Sequence, residues 1–357
     1  MANTAVMLDS SISKPSRVLV VRLGAIGDCL RVLPAVARLS RALPDAQIGW
    51  VVEDWAAPVV RGNPMLTRIH VLSRGALGAG PRSALREAAR LHAELQAERY
   101  EVAIDFHARL KSGLVTWASG APVRIGFDRH AATEANHRFT NVHVSLEDQW
   151  ENRVLRYLRL LAPLGVPTSF DPSNTGLWIA GDAAAWARQW YQEQGRPPIA
   201  VFTGTSLHRR ADRWPLPKWK QALRNLTAAG HRAVVFWGPS EMEAAAELAR
   251  EVGEGCGLAP ATSLEEMMAM LGCFRLYLGA NTAAMHMAWM QGVACVVLLG
   301  GRPARTDEPL PPVRSVMLSA GGAPPQHRLS GEAAVRAVVD ISVDSVVEAA
   351  RRLLETK

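Results

Sequence analysis

The stretch Arg17 to Arg31, R-V-L-V-V-R-L-G-A-I-G-D-C-L-R, limits the possible folds more than any other. Its apolar run Val18 to Val21 is short and rich in β-branched residues, as suits a central parallel strand. Gly24 and Gly27 then allow a sharp turn and leave room for a ligand beside the backbone. From Leu30 onward, Leu33, Val36, Ala37 and Leu39 follow a helical period that stops at Leu43-Pro44. A strand, a glycine-bearing turn and a helix in this order belong to an open α/β sheet. Such sheets bind ligands at the carboxyl ends of their strands, where Asp28 stands. Asp28 has two readings at this point: an N-terminal helix cap, or a carboxylate that handles a ligand. The turn has neither the G-x-G-x-x-G spacing of a dinucleotide site nor the lysine of a P-loop, which disfavours a nicotinamide-dependent oxidoreductase.

The alternation continues along the chain. Strands are expected at Ile48–Val52, Arg68–Leu72 and Val102–Asp105, with a helix over Arg82–Glu98 between the last two. Asp105, His107, Arg109 and Lys111 cluster at one strand exit. Arg124 to His143, rich in His, Arg and Asn, is expected to be loops lining a cleft. Asn152–Leu164 reads as a helix, and Gly165–Gly176 carries the turn residues of a linker. A second series follows: strands Ile199–Phe202, Ala233–Trp237, Leu276–Leu278 and Val293–Leu299, with helices Trp219–Ala229, Glu241–Val252, Leu264–Leu271 and Val343–Leu354. The expected fold is therefore α/β, two Rossmann-like doubly wound parallel-sheet domains facing a cleft. The expected boundaries are a loose tail over 1–16, an N-terminal domain over 17–175, a C-terminal domain over 176–341, and a terminal helix over 342–357 that packs back on the N-terminal domain.

At 357 residues the chain is long for one core, and 48% hydrophobic with 20% charged residues is an ordinary globular balance. The net charge of +7 favours phosphate-bearing partners, but the arginines are scattered, so no nucleic-acid partner is expected. Cys29, Cys256, Cys273 and Cys295 form no C-x-x-C pair and read as reduced core thiols of a cytoplasmic protein. The first residues do not form a signal peptide, and no apolar run is long enough to span a bilayer, so any membrane contact is peripheral. No D-x-D pair occurs, so no metal is expected at a carboxylate pair, nor any cofactor.

Several short motifs occur in order: R-V-L-V-V-R-L-G-A-I-G-D, I-D-F-H-A-R-L-K-S ending at Ser112, T-G-T-S from Thr203, D-R-W-P-L-P-K-W from Asp212, F-W-G-P-S-E ending at Glu241, and N-T-A-A-M-H from Asn281. Together they resemble the family 9 glycosyltransferases, the lipopolysaccharide heptosyltransferases, and most closely the type that adds the first heptose to the inner core. The resemblance implies a GT-B enzyme, inverting and metal-independent. Its N-terminal half would hold a lipid A-Kdo type acceptor and its C-terminal half ADP-heptose, at the cytosolic face of the inner membrane. By the same resemblance Asp28 is the base that takes the acceptor's proton, with Gly27, Arg31, Asp105, Arg109 and Lys111 on the acceptor side. Donor binding falls to Thr203, Gly204, Thr205, Arg209, Arg210, Arg213, Glu241, Asn281, Thr282, Ala283 and His286. Glu241 matches an acid that contacts the donor ribose, with Glu243 as its rival and a first-turn helix acid as the plainer reading. His286 is either a donor ligand or a packed core residue.

Three positions depart from the family pattern: Asn281 stands for aspartate, Ala283 for glycine and Asp212 for lysine. The arginines of the Ser206–Arg213 loop have two readings: one of them replaces that lysine, because guanidinium grips phosphate oxygens in pairs, or they form a solvated surface cluster beside Trp214. Two further functions stay open beside heptose transfer: a related transferase for another nucleotide sugar, and a degenerate member that binds a nucleotide or glycan without transferring it.

Overall fold

The computed structural model describes residues 14–204, 213–238, 240–321 and 324–355. The chain divides into two compact units, Met1–Trp178 and Ile179–Lys357. The first contains β1 (Arg17–Val21), α1 (Ile26–Ala42), β2 (Gln47–Glu53), β3 (Arg68–Leu72), α2 (Arg74–Gly78), α3 (Pro81–Glu98), β4 (Val102–Asp105), α4 (Leu110–Ala118), β5 (Val123–Phe127), β6 (Val142–Val144) and α5 (Arg153–Arg159). The second contains α6 (Gly181–Glu193), β7 (Ile199–Phe202), α7 (Leu216–Ala228), β8 (Ala233–Phe236), α8 (Met242–Val252), β9 (Cys256–Leu258), α9 (Leu264–Leu271), β10 (Leu276–Ala280), α10 (Ala283–Trp289), β11 (Ala294–Leu298), β12 (Ser315–Leu318), α11 (Gly331–Val339) and α12 (Val343–Glu355).

Each unit is built on a six-stranded sheet whose pairings are all parallel, ordered β3-β2-β1-β4-β5-β6 in the first and β12-β11-β10-β7-β8-β9 in the second. Both are the doubly wound order in which the first strand lies beside the fourth. Strand direction of travel across the sheet reverses between β1 and β4 and again between β7 and β10, leaving a crevice at the strands' carboxyl ends there. Register fixes the floor of the first crevice: Val21, the last residue of β1, lies opposite Asp105, the last of β4. The inner strands β1, β4, β7, β8, β10 and β11 are buried on both faces, as their unbroken apolar runs require, while the edge strands β3, β6, β9 and β12 are partly exposed.

Two expectations change. Arg124 to His143 is not all loop, because it contains β5 and β6: Ile125 and Phe127 turn into the core and pair with Val142 and Val144. The charged residues between the strands had hidden a pattern only a few residues long. The helix after Trp214 begins at Leu216, one turn before Trp219, with Pro217 accommodated in its first turn. The terminal helix α12 is part of the second unit and contributes to its core. Val346, Ala350, Leu353 and Leu354 join the core of the second unit with Leu223, Leu226 and Val296. Trp214 supports this arrangement, its indole donating to the Ile341 carbonyl at 3.1 Å.

Candidate active site

In the first unit a cavity of about 650 Å³ opens at the β1/β4 crevice. Its wall includes Asp28 from the first turn of α1, His107 and Arg109 from the exit of β4, and Arg153 and Arg156 from α5. Asp28 is not the cap of α1: the helix begins at Ile26, Ala25 stands at the cap position, and no side chain bonds there. Its carboxylate is instead held by guanidinium groups. Arg22 binds Oδ2, Arg31 binds Oδ1, and Arg153 stands 3.4 Å from Oδ1. Arg22 is itself fixed, donating to the Phe106 carbonyl at 2.9 Å and to Tyr157 Oη at 3.2 Å. Burial by itself would raise the Asp28 carboxyl, but Arg22, Arg31 and Arg153 outweigh it and hold the group well below the ordinary carboxylate range. Asp28 is therefore ionised at any working pH.

His107 lies beside this cluster. Its Nδ1 accepts from the Leu23 N–H at 3.4 Å, which leaves the proton on Nε2. Burial and the Arg22 charge push it down to about 3, so at neutral pH it is an uncharged donor. Lys111 Nζ binds Glu53 Oε1 at 2.6 Å, and the Trp55 indole donates to the other oxygen of Glu53 at 2.6 Å. The Arg74 guanidinium stacks on Trp55. Gly24 is needed here, because a Cβ at that position would stand 2.8 Å from the Trp55 ring.

Six cationic side chains line the cavity against the two carboxylates of Asp28 and Glu53, an excess of four positive charges. Arg156 is the least compensated. It stacks over Phe127 and reaches only the Gln149 carbonyl, at 3.5 Å, while its Nε is buried with no hydrogen-bond partner among the described residues. Burial accordingly lowers its pKa. A desolvated guanidinium of this kind gains most from an anion supplied by a ligand.

Two of the acceptor-side expectations shift. Asp105 does not reach the cavity. It is fully buried, accepting from the His107 and Ala108 N–H groups, Ser112 Oγ and Asn136 Nδ2, so it fixes the turn that presents His107 and Arg109. Gly27 lies within the first turn of α1, and the close approach at the turn belongs to Gly24. Arg31 is buried on Asp28, whereas Arg109 and Lys111 line the cavity as expected from the sequence. Arg22, Arg153 and Arg156 were not singled out. Arg22 sits at the end of an apolar strand, a costly place for an unpaired charge, and Arg153 and Arg156 share one helix face at i, i+3. Both signals were in the sequence.

In the second unit the corresponding crevice brings together Gly204 after β7, Glu241 before α8, and Arg213. Arg213 pairs with Glu241 Oε1, and the Gly238 N–H donates to Oε2 at 3.3 Å. A side chain at Gly204 would displace the Glu241 carboxylate, since a Cβ there would stand 1.9 Å from Oε2. Glu243, the rival acid, lies two residues further on and is exposed. Thr203 precedes Gly204 and is half-buried. Asn281 and Thr282 follow β10 across the same crevice. Asn281 Nδ2 donates to Asp307 Oδ2 at 3.0 Å, and Thr282 occupies the cap position of α10, its hydroxyl 3.4 Å from Tyr277 Oη and making no capping bond. Ala283 starts α10, and His286 is buried, its Nδ1 accepting from the Trp289 indole at 2.9 Å. Thr205, Arg209, Arg210 and Asp212 lie outside the described residues. Among the described residues no group of three or more His, Cys, Asp and Glu side chains is placed to hold a metal ion.

Two parallel sheets of this order, each with polar side chains gathered at its reversal point, give the two-Rossmann architecture of the GT-B class. The sequence pattern of glycosyltransferase family 9 (heptosyltransferase) matches residues 88–331. The chain belongs to that family, and it is a glycosyltransferase. It is similar to lipopolysaccharide heptosyltransferase 1 of Pseudomonas aeruginosa, 25% identical with 80% of this chain and 78% of the relative covered. Lipopolysaccharide heptosyltransferase 2 of Escherichia coli is 24% identical, covering 95% and 98%. A solved structure of the Escherichia coli heptosyltransferase WaaC with ADP-2-deoxy-2-fluoro heptose superposes with a TM-score of 0.70 at 22% identity, covering 95% of this chain and 99% of that one.

Proposed function

We propose that the protein transfers a heptose from ADP-heptose to the Kdo of the lipopolysaccharide inner core, inverting the anomeric centre, without a metal, on the cytosolic face of the inner membrane. The observation that carries this reading is the ionised Asp28 carboxylate in a cavity with an excess of four positive charges, which suits an acidic sugar acceptor. The acceptor oxygen attacks the anomeric carbon, the bond from that carbon to the β-phosphate oxygen breaks, and ADP leaves with the bonding pair. The acceptor proton passes to Asp28.

A carboxylate gripped by guanidinium groups is a weak base towards an unreacted hydroxyl. It is strong enough late in the displacement, when the attacking oxygen is already bonding to carbon and carries positive charge. Arg153, partly exposed and the most distant of the three guanidiniums, can turn to the acceptor's carboxylate and leave a lone pair of Oδ1 for that proton. Arg156, Arg109 and Lys111 hold the acceptor's anionic groups. On the donor side Glu241 takes the ribose hydroxyls, while Arg213 and backbone amides near Gly204 and Asn281 meet the diphosphate. Thr203, Thr205, Arg209, Arg210, Thr282, Ala283 and His286 complete the proposed donor site.

A second reading, transfer of another nucleotide-activated sugar, draws support from one pattern. The departures from the family pattern, Asp212, Asn281 and Ala283, all fall in the second unit, whereas Asp28 and Lys111 of the first keep it. One experiment tests both: a deacylated Kdo-bearing core acceptor is incubated with ADP-heptose and with a panel of other nucleotide sugars in excess EDTA, and the anomeric configuration of the product is read by NMR. Transfer from ADP-heptose with inversion is expected. Transfer from another donor alone would move the assignment to the second reading, and no transfer from any donor would refute both.

A further inference from the structure

Helix α4 presents the wrong kind of surface to water. Its exposed positions are Leu110, Lys111, Leu114 and Trp117, while Ser112, Gly113, Val115 and Thr116 are buried. The large apolar side chains among them are 43%, 47% and 63% exposed and fall at i, i+4 and i+7, one face of the helix. A helix packed on a sheet normally turns a polar face outward. The neighbouring α3 extends this stripe. His92 and Gln96 of α3 both bond the Ala118 carbonyl at the end of α4, at 3.0 Å each, so their face of α3 is turned to α4. Two turns before His92 on that face stands Leu85, 72% exposed.

Cations border the stripe. Arg82 and Arg86 are exposed on α3 and have no carboxylate partner among the described residues. Arg109 and Lys111 flank Leu110, and both also line the Asp28 cavity. The apolar face is therefore continuous with the rim of the proposed acceptor site. An apolar stripe with Trp at its outer end and arginines at its border matches the composition of surfaces that lie in a bilayer interface.

We propose that the α3–α4 face of the first unit docks on an anionic lipid bilayer, with Leu85, Leu110, Leu114 and Trp117 entering the interface while Arg82 and Arg86 meet lipid headgroups. The proposal rests on the reading of the acceptor as lipid-anchored. Docking through this face sets the cavity mouth at Arg109 and Lys111 against the surface from which such an acceptor projects. No helix among the described residues is long and apolar enough to cross a membrane, so the contact is interfacial.

The test uses the full chain and vesicles of phosphatidylethanolamine with 30% phosphatidylglycerol as the probe, read by co-sedimentation, with thermal melting as the folding control. Leu114→Ser with Trp117→Ser is expected to lower vesicle partitioning at least about tenfold, and Arg82→Gln with Arg86→Gln roughly 25-fold at low salt. Leu216→Ser, at an exposed apolar residue of the second unit, should change nothing. Turnover on a deacylated, water-soluble acceptor should be the same in all these variants, while turnover on the acylated acceptor in vesicles falls with partitioning. Wild-type protein that ignores the vesicles, or variants that bind them equally well, would overturn the docking face. Concentration-dependent dimerisation without lipid, abolished by Trp117→Ser, would assign the face to a second copy and overturn it too. Vesicle binding through this face with no turnover on either acceptor would leave docking standing and count against the proposed reaction.

Discussion

Replacing Asp28 by Asn removes the proposed base and, with it, the counter-charge of two buried guanidiniums. The first loss is chemical: an amide cannot accept the acceptor's proton, so kcat should fall about 100-fold to 10,000-fold, the usual scale for one general base. The second is structural. Breaking a fully buried ion pair costs about 3–5 kcal/mol. The Asp28 side chain is 21% exposed, so solvent relieves part of that cost, leaving roughly 2–4 kcal/mol. For a unit of this size that corresponds to a fall in melting temperature of about 5–15 °C. The sign with pH follows from the depressed carboxyl: its contribution is complete above the unfolded value near 3.9 and is lost as pH falls toward the folded value. The stability gap between wild type and Asp28→Asn should therefore be constant from about pH 7 to 5 and shrink below pH 4. Steady-state transfer at saturating substrates, donor titration calorimetry and melting curves between pH 7 and 3 measure the three consequences. Unchanged turnover, or a stability gap that stays flat through pH 3, would refute the reasoning.

Further outcomes follow from the same geometry. Arg156→Gln should raise KM for the acidic acceptor about tenfold with little change in kcat, because the residue is placed to bind an anion and does not touch Asp28; a kcat loss at unchanged KM would contradict this. Gly204→Ala should weaken ADP binding by at least about tenfold, since the methyl group would displace the Glu241 carboxylate from its Arg213 and Gly238 partners, and calorimetry with ADP decides it. Asp105→Ala should destabilise the first unit by about 3 kcal/mol or more, because two N–H groups, a hydroxyl and an amide lose their acceptor in the core; a melting temperature within a degree of wild type would return Asp105 to a ligand-binding role. Transfer should persist in excess EDTA, and activity restored only by added magnesium or manganese would defeat the metal-independent reading.

The sequence by itself determined the fold class. Unbroken apolar runs such as Val18–Val21 and Val293–Leu299 can be satisfied only by strands buried on both faces, and the helical periods between them force parallel crossovers. It also determined that Asp28 stands at a strand's carboxyl end, because the strand, glycine turn and helix are consecutive. It could not show what Asp28 touches. Arg22 is six residues away, but Arg153 comes from α5, more than a hundred residues on, and only the packing of α5 on α1 brings its guanidinium to the carboxylate. Strands as short as β5 and β6 escaped because a few residues carry too little periodicity to stand out from the charged segments around them. The destination of α12 was likewise a tertiary matter, since an amphipathic helix records that it has an apolar face and not which core receives it. Asp105 makes the same point from the polar side. A carboxylate beside His, Arg and Lys reads as part of a binding site, but its position opposite Val21 in the sheet register buries it, and burial commits its oxygens to holding the turn that carries its neighbours.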